Sequence, residues 1–262
     1  MSFVSKAVIA ACVAASAGAA SAATVSSNFV VTYEAPGVTN STATFDYKGV
    51  ETFDSRSVGA SQNFTTNFGL TGGPVQITGQ YKGIEITPQS VYGGSTGNYA
   101  VTYTPTGYEL DLSAKTTAGA ALPVTYFGFW LSALDLGNTV TFYSGATQLF
   151  TFDPAAVLGL TGNCPNGKYC GNPSTGGNQN QPYVFLNFFE QNGTGFDRIL
   201  FTETAGGFGG YESDNHTVGR YQTISGTEIK QLPEPGSLAL VALAITGAAV
   251  VRRRRGAARD AA

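Results

Sequence analysis

Five side chains in the sequence have the oxygen chemistry of a hard cation site. Three of them follow a glycine-rich segment at 205–210, and two lie in a polar turn further upstream. They are Glu212, Asp214, Asn215, Asp135 and Asn138. Carboxylate and amide oxygens are ligands that Ca²⁺ takes in proteins, and glycines let backbone carbonyls approach the ion. The pattern indicates a candidate calcium site and no other cofactor; the alternative is that these side chains satisfy backbone groups of turns.

A Gly-x-Ser-x-Gly pattern around Ser95 raises the question of nucleophilic catalysis. The serine of this motif acts from a turn between a strand and a helix. Here the motif at 93–97 is followed by a predicted strand, and the single histidine, His216, lies in a separate acidic segment. Acidic residues are also too frequent for a carboxylate pair to indicate glycosidase chemistry. The sequence therefore predicts a hairpin loop at 93–97 and a protein that is not an enzyme.

Two cysteines, Cys164 and Cys170, enclose a short polar loop, while the third, Cys12, falls in the apolar segment near the N-terminus. In an exported protein such a pair predicts a disulfide bond. Zinc would need more thiolate or imidazole ligands than the chain offers. The single tryptophan, Trp130, could form a stacking platform for a sugar. Its apolar neighbours favour packing in the core instead.

These residues must be positioned by strands, because β-branched and aromatic segments recur between glycine-rich turns. The spacing predicts an all-β fold, a single β-sandwich domain of jelly-roll type over residues 24–232. The most apolar segments, 126–131 and 184–189, are the expected central strands. A helical turn is expected at 153–158, and a long polar loop at 159–182.

Composition and charge exclude one class of partner. Charged residues make up 12% of the chain, against about 25% in an average soluble domain. Residues 24–232 contain 8 basic and 15 acidic side chains, which gives this region a net charge of −7. Nucleic acid requires clustered lysine and arginine and is therefore not an expected partner. Cations and neutral polymers remain compatible with this composition.

The first 23 residues have the form of a signal peptide. Lys6 precedes an apolar segment, and an Ala-x-Ala sequence ends at Ala22 or Ala23. A positive start, a short apolar stretch and small residues at the end are the features that signal peptidase requires. We expect cleavage after one of these two alanines and export of the remaining chain.

The C-terminus contains three ordered blocks. Pro233, Glu234 and Pro235 precede a 14-residue apolar run at 238–251. Four arginines follow directly: Arg252, Arg253, Arg254 and Arg255. The apolar run is shorter than the roughly 20 residues that span a bilayer. Snorkelling and local thinning allow such a helix to remain in the membrane, with its arginines in the cytoplasm.

This arrangement resembles the PEP-CTERM sorting signal, here at 233–256 with a short tail at 257–262. The resemblance implies recognition by an exosortase, a membrane protease-transpeptidase, in a bacterium with an outer membrane that makes extracellular polysaccharide. Segments within the domain also resemble exosortase-dependent surface proteins. They are 126–130, 138–143, 184–188, 196–199 and 211–218.

Together these features predict an exported, exosortase-processed protein of the cell surface or extracellular matrix. Before processing, its C-terminal helix anchors it in the inner membrane. We expect it to be non-catalytic and associated with exopolysaccharide or biofilm. One alternative is a calcium-dependent carbohydrate-binding module, and another is a secreted hydrolase.

Overall fold

A computed structural model of the chain describes residues 28–69, 73–103, 106–134, 137–153, 155–162, 164–203 and 209–229. The predicted signal peptide, the predicted sorting segment and the candidate ligand Asp135 lie outside these residues. The described part contains fourteen strands and one short helix.

The strands are β1 (Phe29–Tyr33), β2 (Phe45–Glu51), β3 (Gly59–Asn67), β4 (Val75–Thr87), β5 (Tyr99–Tyr103), β6 (Gly107–Thr116), β7 (Ala121–Leu122), β8 (Tyr126–Ser132), β9 (Asn138–Ser144), β10 (Thr147–Phe152), β11 (Val184–Glu190), β12 (Arg198–Glu203), β13 (Gly210–Tyr221) and β14 (Thr227–Glu228). The helix, α1, spans Ala155–Thr161 between β10 and β11. Its position agrees with the helical turn expected at 153–158.

All strands belong to one antiparallel sheet with the order β10-β9-β12-β6-β4-β5-β13-β8-β11-β1-β14. Three further strands lie outside this order and pair with strands in it: β2 pairs with β13, β3 with β4, and β7 with β6. The sheet curls so that its two halves face each other. The prediction of an all-β, sandwich-like fold is confirmed.

Aromatic side chains from the two halves meet in the core. Phe129 of β8 lies edge-on to Phe201 of β12, with 5.3 Å between ring centroids. Phe188 of β11 packs against Phe142 of β9 at 5.1 Å. These strand pairs are not neighbours in the hydrogen-bonded order, so the contacts connect opposing layers. Edge-to-face and tilted aromatic pairs of this kind add to the stabilisation that burial provides.

The two predicted central strands, β8 and β11, are buried along their whole length and are paired with each other. This confirms the expectation from their apolar sequences. The sheet has a second covered face at the same place. There Trp130 and Phe185 pack with Tyr183 and Ala133 in a smaller cluster. The segments that cover this face connect β4 to β5 and α1 to β11.

Candidate functional site

Strand β13 contains most of the polar residues that the sequence singled out. Residues 210–221 form one continuous strand in the middle of the sheet rather than a turn. A bulge lies between Asp214 and Thr217 in the pairing with β8. Asn215 has a φ of +49° at this bulge, a conformation that asparagine tolerates better than most residues. The bulge separates the surroundings of Asp214 from those of His216.

Asp214 is fully buried and anchors the loop that contains the Gly-x-Ser-x-Gly pattern. Its Oδ2 accepts hydrogen bonds from the backbone N of Ser95 at 2.8 Å and from the Ser95 hydroxyl at 3.0 Å. The Asn215 amide donates to Ser95 Oγ and to the carbonyl of Thr39, both at 2.8 Å. Burial raises the pKa of Asp214 to about 7, although these hydrogen bonds oppose the rise. The three residues therefore fasten a loop to the sheet.

His216 lies in the aromatic core. Its Nδ1 bonds to the Tyr81 hydroxyl and its Nε2 to the Ser213 hydroxyl, each at 3.0 Å. The ring stacks on Phe201 with 5.2 Å between centroids. Burial lowers the pKa of His216 to about 3, so the imidazole is neutral at physiological pH. Because Ser95 bonds to Asp214 and His216 bonds to core hydroxyls, the serine and the histidine do not form a nucleophile–base pair.

The structure distributes the candidate calcium ligands over separate places. Asp214 and Asn215 hold the Ser95 loop, whereas Asn138 begins β9 on the core face. Glu212 lies near Tyr103, where burial raises the pKa of the phenol and the charges of Glu85 and Glu212 raise it further. Within the described ranges, no group of three or more histidine, cysteine, aspartate or glutamate side chains could hold a metal. Calcium binding therefore remains a prediction.

A second polar cluster surrounds Asn138, whose neighbour Glu203 was not among the predicted ligands. The Asn138 side chain is completely buried, and neither its amide nitrogen nor its amide oxygen has a hydrogen-bond partner. Glu203 of β12 lies directly opposite it in the pairing register. Burial raises the pKa of Tyr211 well above its usual value, and the charges of Glu203 and Asp153 contribute to the rise. Only the pairing of β9 with β12 brings Asn138 and Glu203 together, and no spacing in the sequence indicates it.

The outer face of β8 is covered by the segment that contains the disulfide bond. The structure includes the predicted bond between Cys164 and Cys170, whose Cα atoms are 5.4 Å apart. Tyr183 fixes this segment to the loop at 89–98 by donating to the carbonyl of Val91 at 2.7 Å. Asn172 adds a hydrogen bond to the carbonyl of Gly93. These contacts join two loops into one layer over the sheet.

A cleft of about 350 Å³ lies within this layer. We call it the Trp130 cleft. Its lining comprises Pro36, Gly37, Trp130, Lys168, Tyr169, Cys170, Gly171, Asn172, Pro173, Gly176, Gln179 and Tyr183. Trp130 is 1% exposed and packs with Tyr183, which confirms its predicted place in the core. Its indole Nε1 has no hydrogen-bond partner.

In the part of the chain that the structure describes, no helix has both the length and the apolar character needed to cross a membrane. The predicted C-terminal helix at 238–251 lies outside that part, as do Pro233, Glu234, Pro235 and the four arginines. Their roles rest on the sequence.

The described residues thus form a disulfide-containing all-β domain that precedes a C-terminal sorting segment. A family model described as the PEP-CTERM protein-sorting motif matches residues 231–255. The chain therefore carries a PEP-CTERM sorting motif, which implies an exosortase-targeted, exported protein with a membrane-anchored sorting signal. Searches of curated proteins and of solved structures gave no match.

Proposed function

We propose that this protein is a non-catalytic component of the cell surface or extracellular matrix, where it contacts exopolysaccharide. The observation that carries the proposal is the sorting motif at 231–255, which directs an all-β domain to an exosortase. Signal peptidase removes the leader, and the exosortase acts near the Pro-Glu-Pro sequence. The domain is then retained at the surface or released into the matrix.

The surroundings of the chemically capable side chains support a non-catalytic role. Ser95 is 6% exposed, and its hydroxyl bonds to Asp214 and Asn215 of the sheet rather than to the histidine. His216 is completely buried, so it has no route to a substrate. A general base must lie within hydrogen-bond reach of the proton that it abstracts. His216 does not meet this requirement towards Ser95, because its ring nitrogens bond to Tyr81 and Ser213, and no observation favours the hydrolase alternative.

The surface supports contact with a polysaccharide. Tyr92 and Tyr103 are 56% and 43% exposed, and aromatic rings that present one face to water can stack on sugar rings. Charged residues are scarce over the whole chain. A surface of hydroxyl, amide and phenol groups suits a ligand that is itself rich in hydroxyl groups.

The proposal is tested by locating the protein in its native host. We expect the processed form in the cell-surface and polysaccharide fractions, and enzymatic removal of the polysaccharide should release part of it. A variant that lacks residues 231–255 should be exported but should not be retained in these fractions. Recovery of the intact chain as a soluble protein inside the cell would contradict the proposal.

A second candidate function is calcium-dependent carbohydrate binding, and the unpartnered side chain of Asn138 is the observation that supports its calcium part. A buried amide without partners is costly, at about 1–3 kcal/mol for each unsatisfied group. A cation held between the amide oxygen and the carboxylate of Glu203 would remove part of this cost. Asn138 therefore replaces Asp214 and Asn215 as the best candidate among the predicted ligands.

This candidate is tested by titrating the mature protein with CaCl₂ in a calorimeter. Saturable heat is expected from the wild type and should be lost in Asn138→Leu. Asn192 is exposed, so Asn192→Leu serves as the control and should retain the heat. A wild-type titration without heat would remove the calcium function and leave the surface role unaffected.

A further inference from the structure

We infer that the Trp130 cleft binds an acidic saccharide unit, a pyranose with a carboxylate group, from the extracellular polysaccharide. The inference rests on the proposed association with polysaccharide and names the site through which it occurs. Three properties of the cleft carry it: its size and aromatic lining, its rigid construction, and its single charge.

The size of the cleft suits a small polar ligand. Ligand pockets in proteins have volumes of about 300–1,000 Å³, and this cleft, at about 350 Å³, is near the lower limit. Trp130, Tyr169 and Tyr183 line it together with amide side chains. Aromatic rings pack on the C–H faces of a sugar, while amides and phenols bond to its hydroxyl groups. Trp130 and Tyr183 are each 1% exposed, so the half-buried ring of Tyr169 and the exposed amide of Gln179 are the groups that a sugar would reach.

Hydrogen bonds hold the walls of the cleft in place. The backbone N of Tyr183 donates to the carbonyl of Tyr169 at 2.8 Å, and that of Gly171 donates to Gln181 at 2.9 Å. The bond between Cys164 and Cys170 closes the adjoining loop. A site whose walls are already ordered loses little conformational entropy when a ligand binds. The cleft is therefore prepared for binding without rearrangement of its loops.

A positive charge at the cleft favours a sugar that carries a carboxylate group. Lys168 is the only charged residue in the lining, and its side chain is exposed. Across the described ranges, the salt bridges use Arg56, Lys82, Arg198 and Arg220, and none involves Lys168. The nearby Glu34 carboxylate is occupied by Thr42, Asn187 and Ser225. Lys168 can therefore pair with a carboxylate supplied by the ligand.

The single tryptophan makes the test specific, because its fluorescence reports on this cleft alone. The mature protein is titrated with an oligosaccharide of uronic acid and, separately, with a neutral oligosaccharide of equal length. We expect a saturable change in emission with the acidic oligosaccharide and weaker binding of the neutral one. Lys168→Ala should weaken acidic binding by about fivefold, as loss of an exposed ion pair does.

Lys115 is exposed on β6, so Lys115→Ala provides the matched control and should bind like the wild type. An emission that no saccharide changes would overturn the inference. Equal binding of both oligosaccharides, unaffected by Lys168→Ala, would also overturn it. Co-sedimentation with polysaccharide is measured in parallel. Co-sedimentation without a fluorescence change would contradict binding at the Trp130 cleft but not the association with polysaccharide. Saturable binding by a protein that is absent from the matrix would contradict the proposed location but not the cleft.

Discussion

Asp214 and His216 are separated by one residue, yet burial raises the pKa of Asp214 and lowers the pKa of His216. The pKa of Asp214 rises to about 7 because its carboxylate lies under the Ser95 loop. The pKa of His216 falls to about 3 because its ring lies among core aromatics. Between about pH 4 and 6.5 the folded protein therefore keeps a proton on Asp214 and none on His216. The unfolded chain has the reverse arrangement.

The contributions of Asp214 and His216 to the pH dependence of the free energy of unfolding should cancel. A raised aspartate pKa gives stability that is complete below the unfolded value and is lost as the pH rises through about 7. A lowered histidine pKa gives stability that is complete above the unfolded value and is lost as the pH falls towards about 3. Each contributes a slope of about 1.4 kcal/mol per pH unit, with opposite sign. In the wild type, these two contributions sum to almost nothing between pH 4 and 6.5.

Asp214→Asn should expose the contribution of His216. The free energy of unfolding of this variant, relative to wild type at each pH, should fall by about 1.4 kcal/mol per unit as the pH is lowered from 6.5 to 4. Urea unfolding at several pH values measures this difference. Parallel curves for variant and wild type would mean that Asp214 titrates normally in the folded state.

His216→Gln should produce the opposite slope. An amide can replace the imidazole as donor and acceptor towards Tyr81 and Ser213, so the variant is expected to fold. Without the histidine, the contribution of Asp214 remains, and stability relative to wild type should rise as the pH is lowered from 6.5 to 4. The same urea series measures it. A slope of the same sign as that of Asp214→Asn would contradict the assignment.

For single residues, the sequence predicted a role correctly where that role follows from the chemical type of the side chain. The pairing of Cys164 with Cys170 and the packing of Trp130 both follow from composition and local neighbours. The roles of Asp214 and Asn215 could not be predicted, because Ser95 and Thr39 reach them from distant parts of the chain. Carboxylate and amide oxygens suit a cation and a backbone donor equally well.

At the scale of elements, apolar content determined which strands could be predicted. Strands β8 and β11 are apolar and were placed correctly in the core. Strands β3 and β13 lack this apolar signal. The first has a mostly exposed sequence, and the second buries polar side chains whose partners lie on other elements. Sequence periodicity reports burial against apolar neighbours, so a strand stabilised by long-range polar contacts lacks the expected signal.

Gly49 of β2 lies where two backbone segments approach closely, so a larger residue would not fit there. A Cβ atom on Gly49 would lie within 2 Å of the carbonyl oxygen of Phe68. We expect Gly49→Ala to lower the free energy of unfolding by at least about 1–3 kcal/mol, because the backbone must move to accommodate it. Gly159 of α1 is the matched control, since its Cβ would meet nothing within 4 Å. Gly159→Ala should stabilise the helix by up to about 1 kcal/mol. Equal urea midpoints for the two variants would contradict this expectation.

On the scale of the whole molecule, the curl of the sheet brings the two ends of the strand order together. Phe29 of β1 stacks on Phe150 of β10, with 4.8 Å between ring centroids. These strands are far apart in the hydrogen-bonded order. Such closure could not be predicted, because every contact that defines it joins residues distant in the sequence. The all-β class could be predicted, because it depends only on local pattern.

The organisation of the chain around this domain gives the last prediction. The sorting motif at 231–255 implies recognition by an exosortase, and it contains Pro233 and Pro235, a residue type that interrupts helices. Pro233→Ala with Pro235→Ala should therefore leave the tail unprocessed, and the chain should accumulate in the membrane fraction. Mass spectrometry of the wild type should give termini near Ala23 and Pro235, whereas the double variant should retain the arginines at 252–255. Pro36→Ala with Pro173→Ala changes two prolines within the domain and should be processed normally. A double tail variant trimmed like the wild type would show that the prolines do not direct processing.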